Sequence, residues 1–555
     1  MSPIVATRRL GLAAAGGCGV AGLLLVAAPN VLPDLVFPTY MVGAASFDVV
    51  GRLSSGDTVV ALALLWGGAM ALVSLAAAIA PAVRGFGAIF GWACLAMVAA
   101  LLGLAAPPLS MLTPVVWAVA VMASYASLRA SGAPSQSEAL PRGLSLGLLA
   151  SGLLLGGLLG ARAALAQGQL PAPGVALALL LAVLAITGAA PLGMARDEAV
   201  AAPAPLGALI YGLVMPVLGL GYLLRLVAIL PQMPTSWAVA LVFVGSIGTL
   251  ASVAGAYGER HLRVLLGWVS GAQASLIVVA AGLSGALAAL AGPALLINLM
   301  LSTIAGAAAA VDLERNTGSD AFAEAELGPR LDLSGLLWAL AGLAAVGLPP
   351  LWGFWGRRWL FEAVLTQMPW ALPPLIAGSG LLVLVLLMPL ARFWPAPDPR
   401  SRPAAPGFLD PLAGALSLVP LLIIGVAPQL AWSLWMQGGA VALAALPVGL
   451  GEQAAAIGVG LVVLALVLGI ARLPVARQIA LSPEEQPVQL AADALGRSLR
   501  PLAWLGRADA LLAAIWSGLL RLSHWLQVIM SVFEQRYYLL GVLIALLTVM
   551  LLMAQ

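Results

Sequence analysis

Apolar runs of about 20 residues, separated by proline, glycine and short charged stretches, recur along the whole chain. A hydrocarbon layer roughly 30 Å thick is crossed by about that many helical residues, whereas a transmembrane barrel would alternate polar and apolar positions in short segments. The pattern therefore predicts an all-α, polytopic helical membrane bundle. Spans are expected near residues 10–28, 58–80, 86–105, 110–130, 143–166, 173–194, 206–230, 236–257, 263–283, 286–310, 334–355, 371–394, 408–427, 431–449, 453–472 and 535–553. With ambiguous boundaries merged, that gives about 14–16 transmembrane helices.

Four stretches depart from this rhythm. Between Val346 and Leu365 the sequence VGLPPLWGFWGRRWLFEAVL interrupts an apolar segment with Pro349, Pro350 and Gly353, then places Arg357 beside Arg358. A helix broken inside a membrane commonly lines a path for something polar. The connection from Asp312 to Asp332 is the longest charged loop within the bundle, and the proline-rich link from Pro395 to Pro406 separates a C-terminal group; both are expected to face water. From Ser482 onward, Arg497, Arg500, Arg507, Asp509, Arg521, His524 and Glu534 are scattered among Leu, Trp and Ile. Such a segment is too charged to span and too apolar to float freely. It predicts an amphipathic helix over about 501–533, lying on the membrane or along its neighbours, before a final anchor. The chain thus divides into N-terminal spans (1–135), a core with broken-helix regions (136–395), C-terminal spans (396–481) and the amphipathic segment with its anchor (482–555).

Composition sharpens this picture. The chain is 62% hydrophobic and 8% charged, with mean hydropathy +1.07, well outside the range of water-soluble domains. All 25 basic residues are arginine. Arginine stays protonated where a buried lysine releases its proton, so no lysine relay is available to this chain. Cys18 and Cys94 fall in separate apolar runs and His261 and His524 lie far apart, which offers neither a disulfide framework nor a metal-ligand pattern. Nucleotide-loop and dinucleotide fingerprints are missing, so no cofactor is expected in this chain. Arg8 and Arg9 ahead of the first apolar run resemble a signal peptide; with so many later spans, that run reads as the first transmembrane helix.

Three stretches taken together resemble the antiporter-like membrane subunits shared by NADH-quinone oxidoreductase (complex I), membrane-bound hydrogenases and formate hydrogenlyases, and multisubunit cation/proton antiporters. They are Ile186–Arg225 (ITGAAPLGMARDEAVAAPAPLGALIYGLVMPVLGLGYLLR), Glu259–Gly282 (ERHLRVLLGWVSGAQASLIVVAAG) and the broken segment after Val346. The resemblance implies a bundle of two inverted repeats, each with a broken helix, whose buried glutamate and lysines conduct protons along the membrane midplane. At the positions that match those working residues this sequence is different. The glutamate position carries Ala118, after Trp117; the lysine positions carry Ile186, Pro216 and Thr303; only the broken-helix cation keeps a charge, as Arg357. A codon bias toward arginine would have left arginine at these places.

What the resemblance implies is a non-catalytic membrane subunit of a complex I-like or hydrogenase-like respiratory complex, mainly structural or indirectly coupled, in a prokaryotic plasma membrane. Flavin, iron–sulfur or nickel–iron centres and quinone would then belong to partner subunits, and the partners of this chain would be other membrane subunits and the lipid bilayer, without nucleic acid. The alternatives are an active proton- or cation-translocating subunit using water and the remaining carboxylates, and a free-standing secondary transporter. The ion-pathway candidates are Arg357, Arg358, Glu362, His261 and Arg263; no metal ligands are expected. For the arginine pair, the plain reading is an interfacial position with a partner in Glu362, one helical turn on. For His261 and Arg263 it is a turn that anchors a helix end. Asp57 reads as a helix cap, Asp197 and Glu198 as a solvated loop, and Trp352, Trp355 and Trp359 as interface or packing aromatics.

Overall fold

The computed structural model describes residues 3–27, 36–42, 45–50, 55–78, 86–131, 139–169, 171–189, 202–230, 233–257, 259, 261–317, 333–392, 409–429 and 451–455, with isolated positions beyond. Apart from isolated positions, the expected spans at 431–449 and 535–553, most of that at 453–472, the amphipathic helix, and Asp197 with Glu198 lie outside the described residues. The chain forms two compact units, Met1–Gly506 and Arg507–Gln555. The first of these holds the helical bundle.

Helix α1 (Pro3–Ala27) is followed by a two-stranded antiparallel hairpin, β1 (Val36–Val42) and β2 (Ala45–Val50), with Val36 opposite Val50 and Val42 opposite Ala45. Then come α2 (Ser55–Ala78), α3 (Phe86–Ala105), α4 (Leu112–Ala130), α5 (Ala139–Ala166) and α6 (Pro173–Thr187). Helix α7 (Ala204–Ile229) contains two π-helical segments, Leu209–Val214 and Val217–Gly221. Next are α8 (Thr235–Tyr257), α9 (Leu262–Ala281), α10 (Gly285–Thr317), α11 (Leu333–Val346), α12 (Gly353–Gln367), α13 (Leu372–Arg392) and α14 (Leu409–Val426). Ten helices among the described residues are long and apolar enough to cross a membrane.

Most of these helices follow directly from the apolar runs, and α8 and α9 start and stop within two residues of the expected positions. Helix α10 is the axis of the bundle. From Ala294 to Leu313 it is buried throughout, and the helix packs against α2, α7, α9, α11, α12 and α14. Small side chains make this possible: Gly292 takes Leu224 of α7, and Gly306 takes Leu266 of α9.

Several elements differ from the sequence reading. The expected span at 173–194 stops at Thr187, because Gly188 turns left-handed (φ 63°) and closes the helix. The segment at 206–230 is not a plain α-helix. Pro216 lacks an N–H, and its ring crowds the carbonyl of Gly212, so the backbone widens into π turns on either side. Finally, Asp312, expected in a water-facing loop, lies inside α10, 3% exposed. Arg315 and Ser334 supply the partners that make its burial tolerable.

Candidate functional site

The interruption between α11 and α12 lies near the middle of α10. Its first half is a helix stop of the left-handed type. Gly347 has φ 73°, Leu348 N donates to Leu343 O at 2.9 Å, and Gly347 N donates to Ala344 O at 3.0 Å. That pattern leaves the next carbonyl, Ala345 O, without a backbone partner inside the membrane. Arg357 fills the role. Its Nη2 donates to Ala345 O at 2.6 Å and its Nη1 to Ser379 Oγ of α13 at 2.8 Å. A cation at a helix C-terminus is also the charge that the helix dipole favours.

Gly347 is required twice here. The φ suits glycine, and a Cβ would stand 2.5 Å from Arg357 Cδ. Asn298 of α10 adds a second bond to Ala344 O at 2.9 Å. On its other side it donates to Gln273 Oε1 of α9 at 3.0 Å, and Gln273 Nε2 donates to Ser302 Oγ at 3.3 Å. A cavity of about 10 Å³, room for one water, is lined by Gln273, Ser302, Thr303, Gly306, Trp338 and Ala345. Helix α14 seals the break from outside: Trp352 N donates to Leu421 O at 2.9 Å and Trp355 Nε1 to Gly425 O at 2.8 Å.

Substituting Asn298 by alanine removes two hydrogen bonds at once, to Ala344 O and to Gln273 Oε1. A loss of about 1–3 kcal/mol is expected, read as a lower thermal midpoint in detergent, with the fold kept because Gly347 N still serves Ala344 O.

The sequence candidates separate here. Arg357 is 4% exposed and does not reach an interface. Among the described residues it meets no carboxylate. Arg358, on the next face of α12, makes the expected i, i+4 pair with Glu362 at 2.8 Å, and a further one with Glu452 at 2.9 Å. Arg263 grips Glu314 of α10 through two bonds of 2.8 and 2.6 Å and reaches Ala202 O at 3.0 Å, while His261 occupies the N-cap position of α9 and is exposed. This turn anchors a helix end. Trp352, Trp355 and Trp359 are buried packing residues. Asp57, in the first turn of α2, lies 3.6 Å from Arg225 of α7.

The four uncharged positions are occupied by packing. Ile186 and Thr187 sit against Gly219 of α7, and Thr303 sits against Gly212, its Oγ1 donating back to Leu299 O at 2.6 Å. Pro216 is buried between the π segments, and half-buried Ala118 follows Trp117, whose ring meets Tyr222 edge-on at 5.6 Å.

Sequence reasoning passes over two features. Gln273 sits unremarked in an apolar run, although a lone amide inside a span is itself a signal. The other is a charge cluster that joins four helices. Arg315 of α10 bonds Asp410 of α14 at 2.7 Å, lies 3.6 Å from Asp312, and reaches Ala77 O of α2 at 3.3 Å. Ser74 donates to Asp410 at 2.8 Å, and Ser334 of α11 donates to Asp312. Asp57 and Ser74 are 17 residues apart on α2, so this cluster and the Asp57–Arg225 pair lie about 25 Å apart, at opposite ends of that helix. Arg225 itself donates to Gly103 O at 2.9 Å and to Ala106 O. Arg225, Arg315 and Arg357 therefore act alike, each satisfying carbonyls at the C-terminal end of another helix. Among the described residues, no three His, Cys, Asp or Glu side chains gather as a metal site would require.

An all-α polytopic membrane bundle with a helix broken at mid-depth and capped by a buried cation is the class that these features define. Residues 153–382 match the family model described as NADH:quinone oxidoreductase/Mrp antiporter, transmembrane, so the core of this chain is similar to the antiporter-like modules of that family. A chain in the structure of the Mrp complex from Dietzia sp. DQ12-45-1b superposes with a TM-score of 0.67 at 22% identity, over 94% of this chain and 60% of that one. This protein thus spans about 60% of the length of the Mrp chain it matches. A chain of the membrane-bound sulfane sulfur reductase, an archaeal respiratory membrane complex, gives a TM-score of 0.70 at 18% identity, covering 94% of each. Respiratory complex I from Thermus thermophilus gives 0.65 at 20% identity, over 78% of this chain and 96% of that one. At these identities the likeness establishes the fold. A search of curated proteins by sequence finds no match.

Proposed function

We propose that this chain is an architectural membrane subunit of a multi-subunit respiratory assembly of complex I or hydrogenase type, in a prokaryotic plasma membrane, and that it does not itself conduct protons across the midplane. Flavin, iron–sulfur or nickel–iron centres and quinone belong, in this reading, to partner subunits. One observation carries it. Ala118, Ile186, Pro216 and Thr303 are uncharged, and Ile186, Pro216 and Thr303 are packed into helix contacts, while the remaining midplane cation, Arg357, is used up in capping α11. The buried carboxylates Asp312 and Asp410 lie toward the end of α10 that holds Arg315, away from Asn298 and the break.

The test is the proton-to-electron ratio of the purified complex in sealed vesicles, with Glu314→Gln and Glu362→Gln introduced separately. Both ratios are expected to equal that of the wild type. A drop in either variant would mean that the surviving carboxylates carry protons, and the active-pump reading would replace this one.

A further inference from the structure

Arg357 presents a physical problem that capping alone does not resolve. Placing a unit charge near the centre of a bilayer without a counter-ion is costly, and a neutral amide such as glutamine could donate to Ala345 O at far smaller expense. Nη1 and Nη2 of Arg357 are hydrogen-bonded, Nε is buried without a partner, and no carboxylate among the described residues neutralises the group. The charge itself, rather than its hydrogen bonds, calls for an account.

Its surroundings supply one. Polar side chains near the break form a connected group, Asn298, Gln273 and Ser302, beside the small cavity that Thr303 and Trp338 help to line. The indole Nε1 of Trp338 is buried and unpartnered. The Arg263–Glu314 pair lies 12 residues or about 18 Å along α10 from Ser302, with buried alanines between, so this polar group is enclosed within the bundle. Ala345 lines the cavity, and its carbonyl holds Arg357.

We propose that Arg357 is an electrostatic barrier: a fixed positive charge beside this buried polar group and its water-sized cavity that keeps hydronium and sodium from crossing the centre of the bundle. A guanidinium suits this role because it does not give up its proton, and arginine at a constriction excludes cations elsewhere by the same physics. A second cation one helical turn away, about 5.4 Å, would be depleted roughly a hundredfold at an effective dielectric constant near 20. The inference rests on the proposed absence of a proton relay and gives the retained cation a purpose: sealing.

The experiment is passive ion entry into liposomes that hold the full-length chain alone, driven by a potassium diffusion potential and read with an internal pH dye or a sodium dye. Arg357→Gln removes the charge and keeps a donor. Ser379→Asp places a carboxylate at the position that now accepts from Nη1, so the charge is neutralised while Arg357 still caps α11. Arg357→Lys keeps the charge. Entry is expected to rise at least tenfold in Arg357→Gln and Ser379→Asp, and to stay within twofold of the wild type in Arg357→Lys. Wild-type entry in Ser379→Asp, with an unchanged elution profile and melting point, overturns the proposal, as does an equal rise in all three variants, which would mark a purely structural role. No redox turnover takes place in this assay. Its failure is therefore distinct from a failure of the architectural reading, which is judged on the coupled ratio with Arg357 intact.

Discussion

Gly425→Ala will unfasten the outer seal of the helix break and lower stability by about 3 kcal/mol or more, among the largest effects expected of a single methyl group here. Gly425 lies in the last turn of α14, where that helix runs over the break. A Cβ there would collide with Pro350 O, and would come within 2.7 Å of Leu351 C and Trp352 N. These are backbone atoms, fixed by the turn between Gly347 and Gly353, and cannot rotate away as a side-chain tip would. Helix α14 must retreat, and retreat breaks the bonds from Trp352 N to Leu421 O and from Trp355 Nε1 to Gly425 O. Both donors are then stranded in an apolar setting, a cost of about 1–3 kcal/mol each. Thermal unfolding in detergent provides the measurement; alanine at Gly380, which has open space around it, is the control and should leave the midpoint within about 1 °C of the wild type. Equal midpoints for the two variants would mean that α14 does not clamp the break.

Arg315→Ala should be as damaging. The guanidinium is shared by Asp410 and Asp312, which are 0% and 3% exposed, and by Ala77 O. Its removal leaves two buried carboxylates facing one another with only Ser74 and Ser334 to satisfy them. Breaking a buried pair in this way costs about 3–5 kcal/mol. Asp410→Ala strands fewer groups, since Arg315 keeps Asp312, and should cost less. Replacing Asp410 by leucine and Arg315 by methionine together will recover only part of the loss, because Asp312 stays buried without its cation. A triple variant with Asp312→Asn should recover more. The ranking of unfolding midpoints, Arg315→Ala below Asp410→Ala below the triple variant, checks the account.

Much of the fold is legible in the sequence because lipid enforces a simple rule: each span satisfies its own backbone and presents apolar side chains. Where that rule operates undisturbed, as in α2, α8 and α9, punctuation by proline, glycine and charge places the ends within a few residues. The rule fails where one helix repairs another. The expected single span at 334–355 is two helices, since Gly347 and the prolines end α11 while Arg357 and α14 supply what the break exposes. Helix α10 runs on to Thr317, past the expected end near 310, because Asp312 and Arg315 find partners on α11 and α14 that no local pattern reveals. Sequence spacing identifies the Arg358–Glu362 pair, which depends only on helical geometry. It does not distinguish Arg357 from its neighbour, since one residue along a helix turns the side chain by about 100° and, here, from a half-exposed face into the core. The hairpin β1–β2 is not anticipated either, although PTYMV and SFDVV are rich in β-branched and aromatic residues.

The stitching of helix ends by distant arginines bears on how the chain is made. Arg225 reaches Gly103 O across 122 residues of sequence, and Arg315 reaches Ala77 O across 238. When α2 and α3 leave the ribosome, the groups that will close their ends have not yet been synthesised. Early spans must therefore wait in the bilayer, loosely docked and open to exchange, until α7 and then α10 arrive, and the tightening of the whole should come late and abruptly.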